Sequence, residues 1–346
     1  MTLAPWLPKR GYLNTASFGI PPPAAVDAVN AVTANWANGK LSFGSWFTET
    51  QLTRASIAAL LAVPPEWVSL GGSSAPLLGS VAANLPDGAR VLAPENEHNT
   101  NLIPYLNQAH RGVRVEQVKL SELAARVTRD TTLVSCSAVQ SLTGEVADIA
   151  AIRAATTACG ALFCLDGSQA CGWLPLSGAS ADVVVCSMYK WLCTPIGGAF
   201  LIMRPELAEQ FRPVTPGWAA TTDPMAAPYG THFQLPPSGR RFDMVPNLIS
   251  MIAARQSIDA IVALGVETIH RHDVALANRF RAGMQESPAN SAIVSLPWEG
   301  AAKRLAAAGI IATEWNGKLR VSFHVHNDES DVDAALDVLS SMARPF

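Results

Sequence analysis

Short apolar runs alternate with segments of helical periodicity over the first half of the chain. The apolar runs, each bounded by polar or turn-forming residues, predict buried strands, and the amphipathic stretches between them predict helices. The predicted strands span residues 67–71, 90–93, 113–118 and 132–137, and the predicted helices span 74–84, 100–109, 121–127 and 149–159. This alternation is typical of a parallel sheet with crossover helices, so we expect an α/β protein.

Two further apolar runs each lead to a residue with distinctive chemistry. Residues 161–165 form a predicted buried strand that ends at Asp166, and residues 183–188 form another that precedes Lys190. Ligands of open α/β sheets bind outside the carboxyl ends of the strands, so we expect Asp166 and Lys190 to face one crevice. Pyridoxal phosphate needs a lysine amine for its aldehyde and a carboxylate for its pyridine nitrogen. The pair therefore predicts a pyridoxal 5'-phosphate site.

The second half of the chain has a different organisation. Residues 211–243 are rich in Pro, Gly and Thr, which predicts a long irregular segment. Beyond it we predict helices from about 247 and 266, a short strand near 292, a strand at 319–323 and a helix at 328–342. These elements indicate a small α+β domain. We expect a large domain at 15–240 and a small domain made of 1–14 and 241–346.

Composition and charge narrow the class of protein. The chain has 346 residues, of which 49% are hydrophobic, so it can bury a large core. A net charge of -3 provides no basic surface for nucleic acid. No apolar run approaches the roughly 20 residues that span a bilayer, and the N-terminus lacks a signal-peptide core, so we expect a cytoplasmic protein without membrane contact. The six cysteines form no CxxC pair and are expected to be buried thiols.

The motifs together resemble those of a known family. They are Tyr12-Leu-Asn14, Asp166-Gly-Ser-Gln169, Tyr189-Lys-Trp-Leu192 and Leu319-Arg-Val-Ser322. The chain resembles the class V aminotransferases among the fold-type I pyridoxal phosphate enzymes, which include cysteine desulfurases, kynureninase-like enzymes and isopenicillin-N epimerase-like proteins. The resemblance implies a large domain with a mainly parallel sheet between helices, a small α+β C-terminal domain and a homodimer.

The reaction is less well defined by the resemblance than the fold and the cofactor. Family members act at the α-carbon of an amino acid, and a class V aminotransferase-like activity is the first expectation. A lyase that eliminates a C–S bond or another β-substituent, and an epimerase or racemase, are alternatives because one scaffold supports all of these reactions. A catalytically silent relative that only binds ligands is a non-enzyme alternative, although both Lys190 and Asp166 are present.

Residues expected to bind the phosphate follow the first predicted strand. Gly71 and Gly72 lead into Ser73 and Ser74, which open a predicted helix, and the free backbone N–H groups of such a helix start bind anions. The resemblance adds Ser187 as a second phosphate donor. Tyr189 stands where many members have histidine, and its phenol can also donate to phosphate.

The resemblance assigns further roles around the ring of the cofactor. His98, in Glu97-His-Asn-Thr-Asn101, matches the residue that stacks on the pyridine face, and an imidazole there can also move protons. Gln169 corresponds to the residue that contacts the phenolic oxygen of the cofactor. Ser141 takes the place of an asparagine found in desulfurases.

Substrate binding is expected to involve both ends of the chain. Arg320 matches the arginine that binds the substrate carboxylate, a group that a planar guanidinium holds with two hydrogen bonds. Asn14 belongs to an N-terminal segment that folds across the active-site mouth in relatives. For phosphate binding across the dimer interface, Arg240 or Arg241 replaces a Gly-Thr pair that relatives often carry, or both are ordinary surface residues.

Two other groups of residues invite interpretations that we reject. His324-Val-His326 lacks a nearby pattern of further ligands, so we expect no metal site. Cys193 follows Lys190 closely, but desulfurases carry their persulfide-forming cysteine on a mobile loop just before the carboxylate-binding arginine. Residues 311–317, which match that loop, contain no cysteine. We therefore do not expect desulfurase activity by the usual route.

Overall fold

A seven-stranded sheet forms the centre of the larger part of the protein in the computed structural model, which describes residues 3–225, 229 and 231–340. Its strands are β1 (Val68–Gly71), β2 (Arg90–Pro94), β3 (Arg114–Val118), β4 (Leu133–Ser137), β5 (Leu162–Asp166), β6 (Val183–Ser187) and β7 (Ala199–Met203). The strand order is β1-β7-β6-β5-β4-β2-β3. All neighbours are parallel except that β7 runs antiparallel to both β6 and β1. The predicted mainly parallel sheet is therefore confirmed.

Both faces of this sheet are covered, as the continuous apolar runs predict. In β6, Val183 and Val185 pack into the apolar cluster on one face, whereas Val184 and Cys186 pack into the cluster on the other face. A strand with two buried faces is apolar at most of its positions, which explains why such strands are visible in the sequence.

The helices are α1 (Pro23–Ala37), α2 (Phe43–Leu60), α3 (Ser74–Ala83), α4 (Ile103–Leu106), α5 (Ile149–Cys159), α6 (Pro205–Gln210), α7 (Leu248–Leu264), α8 (Val266–Gly283), α9 (Ala301–Ala307) and α10 (Glu329–Ser340). Local sequence explains several of their ends. Asp148 caps α5 by accepting a hydrogen bond from Ala151 N, and Gly160 ends that helix in the left-handed conformation. Asn247 caps α7 in the same way as Asp148.

Two predicted helices are wrong. The segment 100–109 contains only a 3-10 turn (Asn99–Asn101), the four-residue α4 and the start of another 3-10 turn, because Pro104 cannot donate a backbone hydrogen bond to an earlier turn. The segment 121–127 lies across two 3-10 turns, Leu120–Glu122 and Ala124–Arg126. Leu123 and Val127 are buried there, and the two tight turns satisfy their spacing of four without a helix.

The small sheet consists of β8 (Ile293–Pro297), β9 (Thr313–Trp315) and β10 (Lys318–Ser322) in the order β8-β10-β9, all antiparallel. The predicted α+β region with a final strand and helix is present. The last two residues of the predicted helix, 341 and 342, lie outside the described residues. The N-terminal segment joins this region through isolated bridges from Tyr12 to Ile311 and from Asn14 to Ser322.

Helices α7 and α8 connect the two sheets. Helix α7 packs against α1 and α2, and its buried Met251 and Ile258 belong to the apolar cluster of the large sheet. After Gly265 the chain bends by 85° into α8, which packs against β8 and α10. Within the described residues no helix alone is long and apolar enough to cross a membrane, and α7 and α8 reach that composition only as a bent pair.

Candidate active site

Asp166 and Lys190 meet at one cavity, as the strand-end argument predicts. Asp166 is the last residue of β5, and Lys190 follows the end of the adjacent strand β6 by three positions. They line one space that is partly open to solvent, which we call the inner cavity. Its lining residues are Ser74, His98, Thr100, Ser137, Ser141, Asp166, Ser168, Gln169, Ser187, Tyr189 and Lys190.

The buried Asp166 has one carboxylate oxygen committed to the protein. Ser168 N donates to Oδ1 at 2.7 Å, which fixes the orientation of the carboxylate. Oδ2 receives no hydrogen bond from the residues that the structure describes. A buried carboxylate needs partners, so Oδ2 is free to accept a hydrogen bond from a ligand in the inner cavity.

Lys190 is a buried amine that is only 9% exposed. Burial lowers the pKa of Lys190, the charge of Arg320 lowers it further, and the carboxylate of Asp166 opposes both effects. Its Nζ lies 5.7 Å from the centre of the Tyr189 ring. A lysine with a lowered pKa supplies neutral amine at a lower pH than an exposed lysine does, and neutral amine is the form that reacts with carbonyl groups.

The start of α3 and the end of β6 lie together where we expect an anion site. The hydroxyl groups of Ser74 and Ser187 lie 2.8 Å apart beside the first turn of the ten-residue helix. A Cβ atom placed on Gly72 would point into open space, with its nearest neighbour, the Gly197 carbonyl, 4.0 Å away. Ser73, in contrast, is exposed at the N-cap position and does not line the inner cavity.

His98 lines the inner cavity and is held in one tautomer. Its Nδ1 accepts a hydrogen bond from Thr100 N at 3.2 Å, so the proton of the neutral ring is on Nε2. Burial lowers the pKa of His98, and the charge of Lys190 lowers it further. The neutral imidazole is therefore the favoured form, in agreement with the expected stacking role.

Glu97 positions His98, a contribution that the sequence analysis did not identify. Its Oε1 accepts hydrogen bonds from His98 N, from the Asn101 side chain and from Ser137 Oγ, and its Oε2 accepts one from Ser137 N. Burial raises the pKa of Glu97 against the opposing effect of these bonds. The signal available in the sequence was the segment Glu97-His-Asn-Thr-Asn101. The Glu97 carboxylate accepts hydrogen bonds from both the next residue and the asparagine four positions later.

A wider opening joins the inner cavity to the surface. This outer cavity is open to solvent, has a volume of about 580 Å³ and shares His98, Ser141, Tyr189 and Lys190 with the inner one. Its other lining residues are Ala16, Ser17, Phe18, Asn96, Glu97, Asn99, Leu142, Trp315, Asn316 and Arg320.

Arg320 lies on β10 and is only 5% exposed. Its Nη1 donates to the carbonyl and hydroxyl oxygens of Ser141, both at 2.8 Å, and its Nη2 donates to Ser17 Oγ at 2.7 Å. Within the described residues Arg320 pairs with no carboxylate, and its buried Nε has no hydrogen-bond partner. Burial lowers the pKa of Arg320 to about 10. A buried cation without an anionic partner is costly, so the site favours binding of a carboxylate.

Gln169 connects Arg320 to the segment after β6 that carries Lys190, which we call the lysine loop. Its Nε2 donates to Ser141 Oγ and to the Ala16 carbonyl, both at 2.9 Å, and its Oε1 accepts from Trp191 Nε1 at 2.7 Å. Both amide hydrogens are therefore in use. The predicted contact of Gln169 with the phenolic oxygen of a cofactor would require one of these bonds to be released.

The N-terminal segment crosses the lysine loop, but Asn14 does not reach either cavity. Its side chain accepts a hydrogen bond from Thr313 Oγ1, and its carbonyl accepts from Ser17 N. Gly19 N donates to the Tyr189 carbonyl at 2.9 Å, and a Cβ atom on Gly19 would lie 1.9 Å from the Lys190 carbonyl oxygen. Only glycine permits this approach.

The residues considered for other roles have structural partners. His324 Nδ1 lies 2.8 Å from Asp273 Oδ2 and its Nε2 lies 3.1 Å from the Trp191 carbonyl. In the described part of the chain, no three His, Cys, Asp or Glu residues are grouped to hold a metal ion. Cys193 is fully buried, and of the six cysteines only Cys159 is half-buried.

Arg240 and Arg241 lie in a segment that folds back on its own chain. Arg240 donates to the Thr221 carbonyl at 3.0 Å and lies 3.7 Å from the Asp243 carboxylate. Asp243 in turn accepts hydrogen bonds from Arg54 and from Leu70 N, and Leu70 lies just before the two glycines that lead into α3. The segment therefore supports β1 within one chain.

The donor set fits pyridoxal phosphate. An amine, a carboxylate with a free oxygen and an anion site of two hydroxyl groups on a helix start line the same inner cavity. The open space beside Gly72 leaves room for a group against the helix start. Amine, acid and phosphate site are the three groups that this cofactor requires.

Comparison with known proteins identifies the family. A sequence profile described as Aminotransferase class-V matches residues 22–308. The chain belongs to this family. Membership confirms the fold-type I architecture, an enzyme of the transferase or lyase type, and pyridoxal phosphate as the cofactor of the class V aminotransferases. The catalytically silent alternative is therefore not supported.

Similar proteins span a range of activities. An uncharacterized aminotransferase, YcbU of Bacillus subtilis, is 24% identical over 85% of this chain and 84% of its own. A probable cysteine desulfurase of Methanothermobacter thermautotrophicus is 24% identical over 80% of this chain and 73% of its own. The solved structure of the cystine C–S lyase C-DES with cysteine persulfide has a TM-score of 0.86 and covers 97% of this chain and 98% of its own. At 19% identity, this last likeness concerns the fold alone.

Proposed function

We propose that this protein is a pyridoxal phosphate-dependent enzyme that acts at the α-carbon of an amino acid, with aminotransferase activity as the first assignment. The observation that carries the proposal is the presence of a buried amine and a buried guanidinium group at the two connected cavities. Lys190 lies beside the anion site and Asp166, whereas Arg320 has no carboxylate partner among the described residues. An amino acid supplies an amine for the first position and a carboxylate for the second.

The roles of the residues follow from their surroundings. When bound, pyridoxal phosphate supplies an aldehyde and a ring that withdraws electrons from the substrate α-carbon. Asp166 Oδ2 would accept a hydrogen bond from the protonated ring nitrogen, and Ser74, Ser187 and the start of α3 would hold the phosphate. His98 would cover the ring. The Lys190 amine takes and returns the proton of the α-carbon, because its lowered pKa keeps it available as a base.

A C–S or other β-elimination lyase is the second candidate. None of the six cysteines, all of which lie in the described part of the chain, lines the inner or the outer cavity. A desulfurase that forms a persulfide on its own cysteine needs a thiol at the substrate. A lyase that releases its sulfur product needs none, and the likeness to C-DES is compatible with such an enzyme.

The assignment can be tested by titrating the holoenzyme with amino acids and with the matching amines that lack a carboxylate. We expect spectral changes of the cofactor at lower concentration with alanine than with ethylamine. Arg320→Gln should remove that difference, whereas Arg129→Gln, at an exposed arginine far from the site, should keep it. Keto-acid formation indicates transamination, and pyruvate with ammonia from a cysteine conjugate indicates a lyase. An unchanged preference for alanine in Arg320→Gln would contradict the carboxylate role.

We propose two domains and a homodimer in the cytoplasm. Helix α7 packs with the large sheet, which supports moving the boundary expected at 241 to the bend at Gly265, with 1–14 joined to the small domain.

Trp36, Leu41 and Phe43 expose large apolar side chains around the start of α2, which supports an interface between copies. Sedimentation of the holoenzyme at micromolar concentration tests this, and an active monomer would refute it.

A further inference from the structure

The hairpin between β9 and β10 places an indole ring at the opening of the site. Trp315 pairs with Lys318 across a two-residue turn, in which Asn316 and Gly317 have φ values of 51° and 70°. Positive φ at both positions is what the favoured two-residue hairpin turn requires, so the turn fixes the register of the two strands. Trp315 and Asn316 line the outer cavity, and Trp315 remains 57% exposed.

A second group of apolar side chains faces the same space. Phe18 is 50% exposed, lies 5.6 Å from the Tyr189 ring between ring centres and lines the outer cavity with Leu142. The backbone around Phe18 is fixed, because its carbonyl accepts a hydrogen bond from the Tyr12 hydroxyl at 2.7 Å and its N–H donates to Asn14. Half-exposed aromatic rings on rigid segments around a cavity are typical of ligand-binding surfaces.

Among the residues that line the outer cavity, no charged group is left to pair with a charged side chain of the substrate. Arg320 is assigned to the α-carboxylate, and Lys190 to the cofactor and the α-carbon. The carboxylate of Glu97 already accepts four hydrogen bonds from the protein. The asparagine, serine and tyrosine residues of the lining are neutral, and burial lowers the pKa of His98, which favours its neutral form. An acidic or basic side chain would lose its hydration here without gaining an ion pair.

We propose that the substrate is an α-amino acid with a large apolar side chain, preferably aromatic, which contacts the rings of Trp315 and Phe18. This inference rests on the proposed function, because Arg320 and Lys190 must hold the carboxylate and the α-carbon for the side chain to enter the outer cavity. The volume of about 580 Å³ accommodates a bulky group, and the two rings gain contact area that a methyl side chain does not supply.

Binding can be measured without turnover by using α-methyl amino acids, which have no α-proton to lose. Isothermal calorimetry on the holoenzyme should give α-methylphenylalanine a Kd about tenfold or more below that of 2-aminoisobutyrate, and α-methylaspartate the weakest binding of the three. The aromatic analogue should also show the more negative heat-capacity change, which is the mark of apolar burial.

Variants connect the preference to the rings. Trp315→Ala should weaken α-methylphenylalanine binding at least about fivefold more than it weakens 2-aminoisobutyrate binding. Ile311→Ala is the matched control, because Ile311 is an exposed apolar residue of the same region that lines neither cavity. It should leave both Kd values unchanged.

The outcomes separate the two proposals. If 2-aminoisobutyrate or α-methylaspartate binds as tightly as the aromatic analogue, or if Trp315→Ala weakens all ligands equally, the inference about the side chain is wrong and the proposed function stands. If no amino acid analogue binds to the holoenzyme, the proposed function is wrong and the inference falls with it.

Discussion

The buried pair of His324 and Asp273 should make the stability of the protein fall steeply with rising pH. Both ring nitrogens of His324 face acceptors, the Asp273 carboxylate at 2.8 Å and the Trp191 carbonyl at 3.1 Å. Each nitrogen therefore has to carry a proton, and the ring is an imidazolium. Both side chains are fully buried.

The magnitude follows from the pKa. Burial alone would disfavour the charged ring, but Asp273 and, to a smaller extent, Cys193 raise the pKa of His324 to about 10. Compared with an ordinary value of about 6.5, this corresponds to about 5 kcal/mol, at about 1.4 kcal/mol for each pH unit. His272, which also contacts Asp273, and His326, whose own pKa is lowered to about 3 by burial, complete the titratable surroundings.

The direction is fixed by linkage. A raised pKa in the folded state stabilises fully below about pH 6.5, and this stabilisation is lost as the pH rises through about 10. Between pH 7 and pH 9, titration of His324 should lower the free energy of unfolding by roughly 2–3 kcal/mol. The double variant Asp273→Asn, His324→Gln removes both charges and should lack this decline, whereas His110→Gln, at an exposed histidine, should retain it.

Urea unfolding at pH 7, 8 and 9 measures the decline, and ring ¹⁵N resonances of histidine-labelled protein report the protonation directly. The resonances of His324 are those missing from His324→Gln. We expect both ring nitrogens to stay protonated at pH 8. Equal slopes in the wild type and the double variant, or a His324 resonance that titrates near pH 6.5, would refute the reasoning.

Three further predictions concern the inner cavity and the loop that carries Lys190. Lys190→Ala should lose the cofactor that borohydride traps on the protein while retaining noncovalent binding, and a trapped adduct on another lysine, seen by mass spectrometry, would contradict the assignment. Asp166→Asn should keep most cofactor binding in equilibrium dialysis but lose about 100-fold or more in turnover, since an amide stabilises a protonated ring nitrogen poorly. Gly19→Ala should lower stability by about 2–4 kcal/mol in thermal unfolding because its Cβ meets the Lys190 carbonyl oxygen at 1.9 Å, whereas Gly79→Ala, with nothing within 4 Å, should not.

Most strands of the large sheet were predictable because burial on both faces leaves an apolar run in the sequence. Strand β7 was not predicted although it is apolar and buried throughout, and β3 is only partly buried and has polar residues at three of its five positions. Helix α2 was not predicted, and its buried face explains why. Thr53 donates to the Met251 carbonyl, and Arg54 forms a buried ion pair with Asp243 at 2.6 Å. A helix that buries polar side chains against distant partners has no clear apolar periodicity to recognise.

From the residues alone, the site was predictable where strand ends determine position, and the resemblance to the family added residues such as His98, Ser141 and Arg320, which line the cavities. Asp166 ends one strand and Lys190 follows the neighbouring parallel strand, so their meeting in one cavity follows from sheet geometry. The contacts of Gly19 with the lysine loop and of His324 with Trp191 join residues more than 130 positions apart, as their separations in the sequence show. No local pattern encodes such contacts, because they depend on how the small sheet and the N-terminal segment pack on the large sheet.

This packing links substrate recognition to the reactive lysine. Arg320 is held by Ser141, Ser141 accepts from Gln169, and Gln169 accepts from the indole of Trp191, the residue after Lys190. The carbonyl of Trp191 is in turn the acceptor for the His324 imidazolium, which lies just after β10. A movement of Arg320 therefore has to disturb hydrogen bonds on both sides of the lysine. This explains why the Gln169 amide is committed to the protein: its two donors and one acceptor keep the carboxylate site and the amine at a fixed separation, as an enzyme that orients an amino acid by both ends requires.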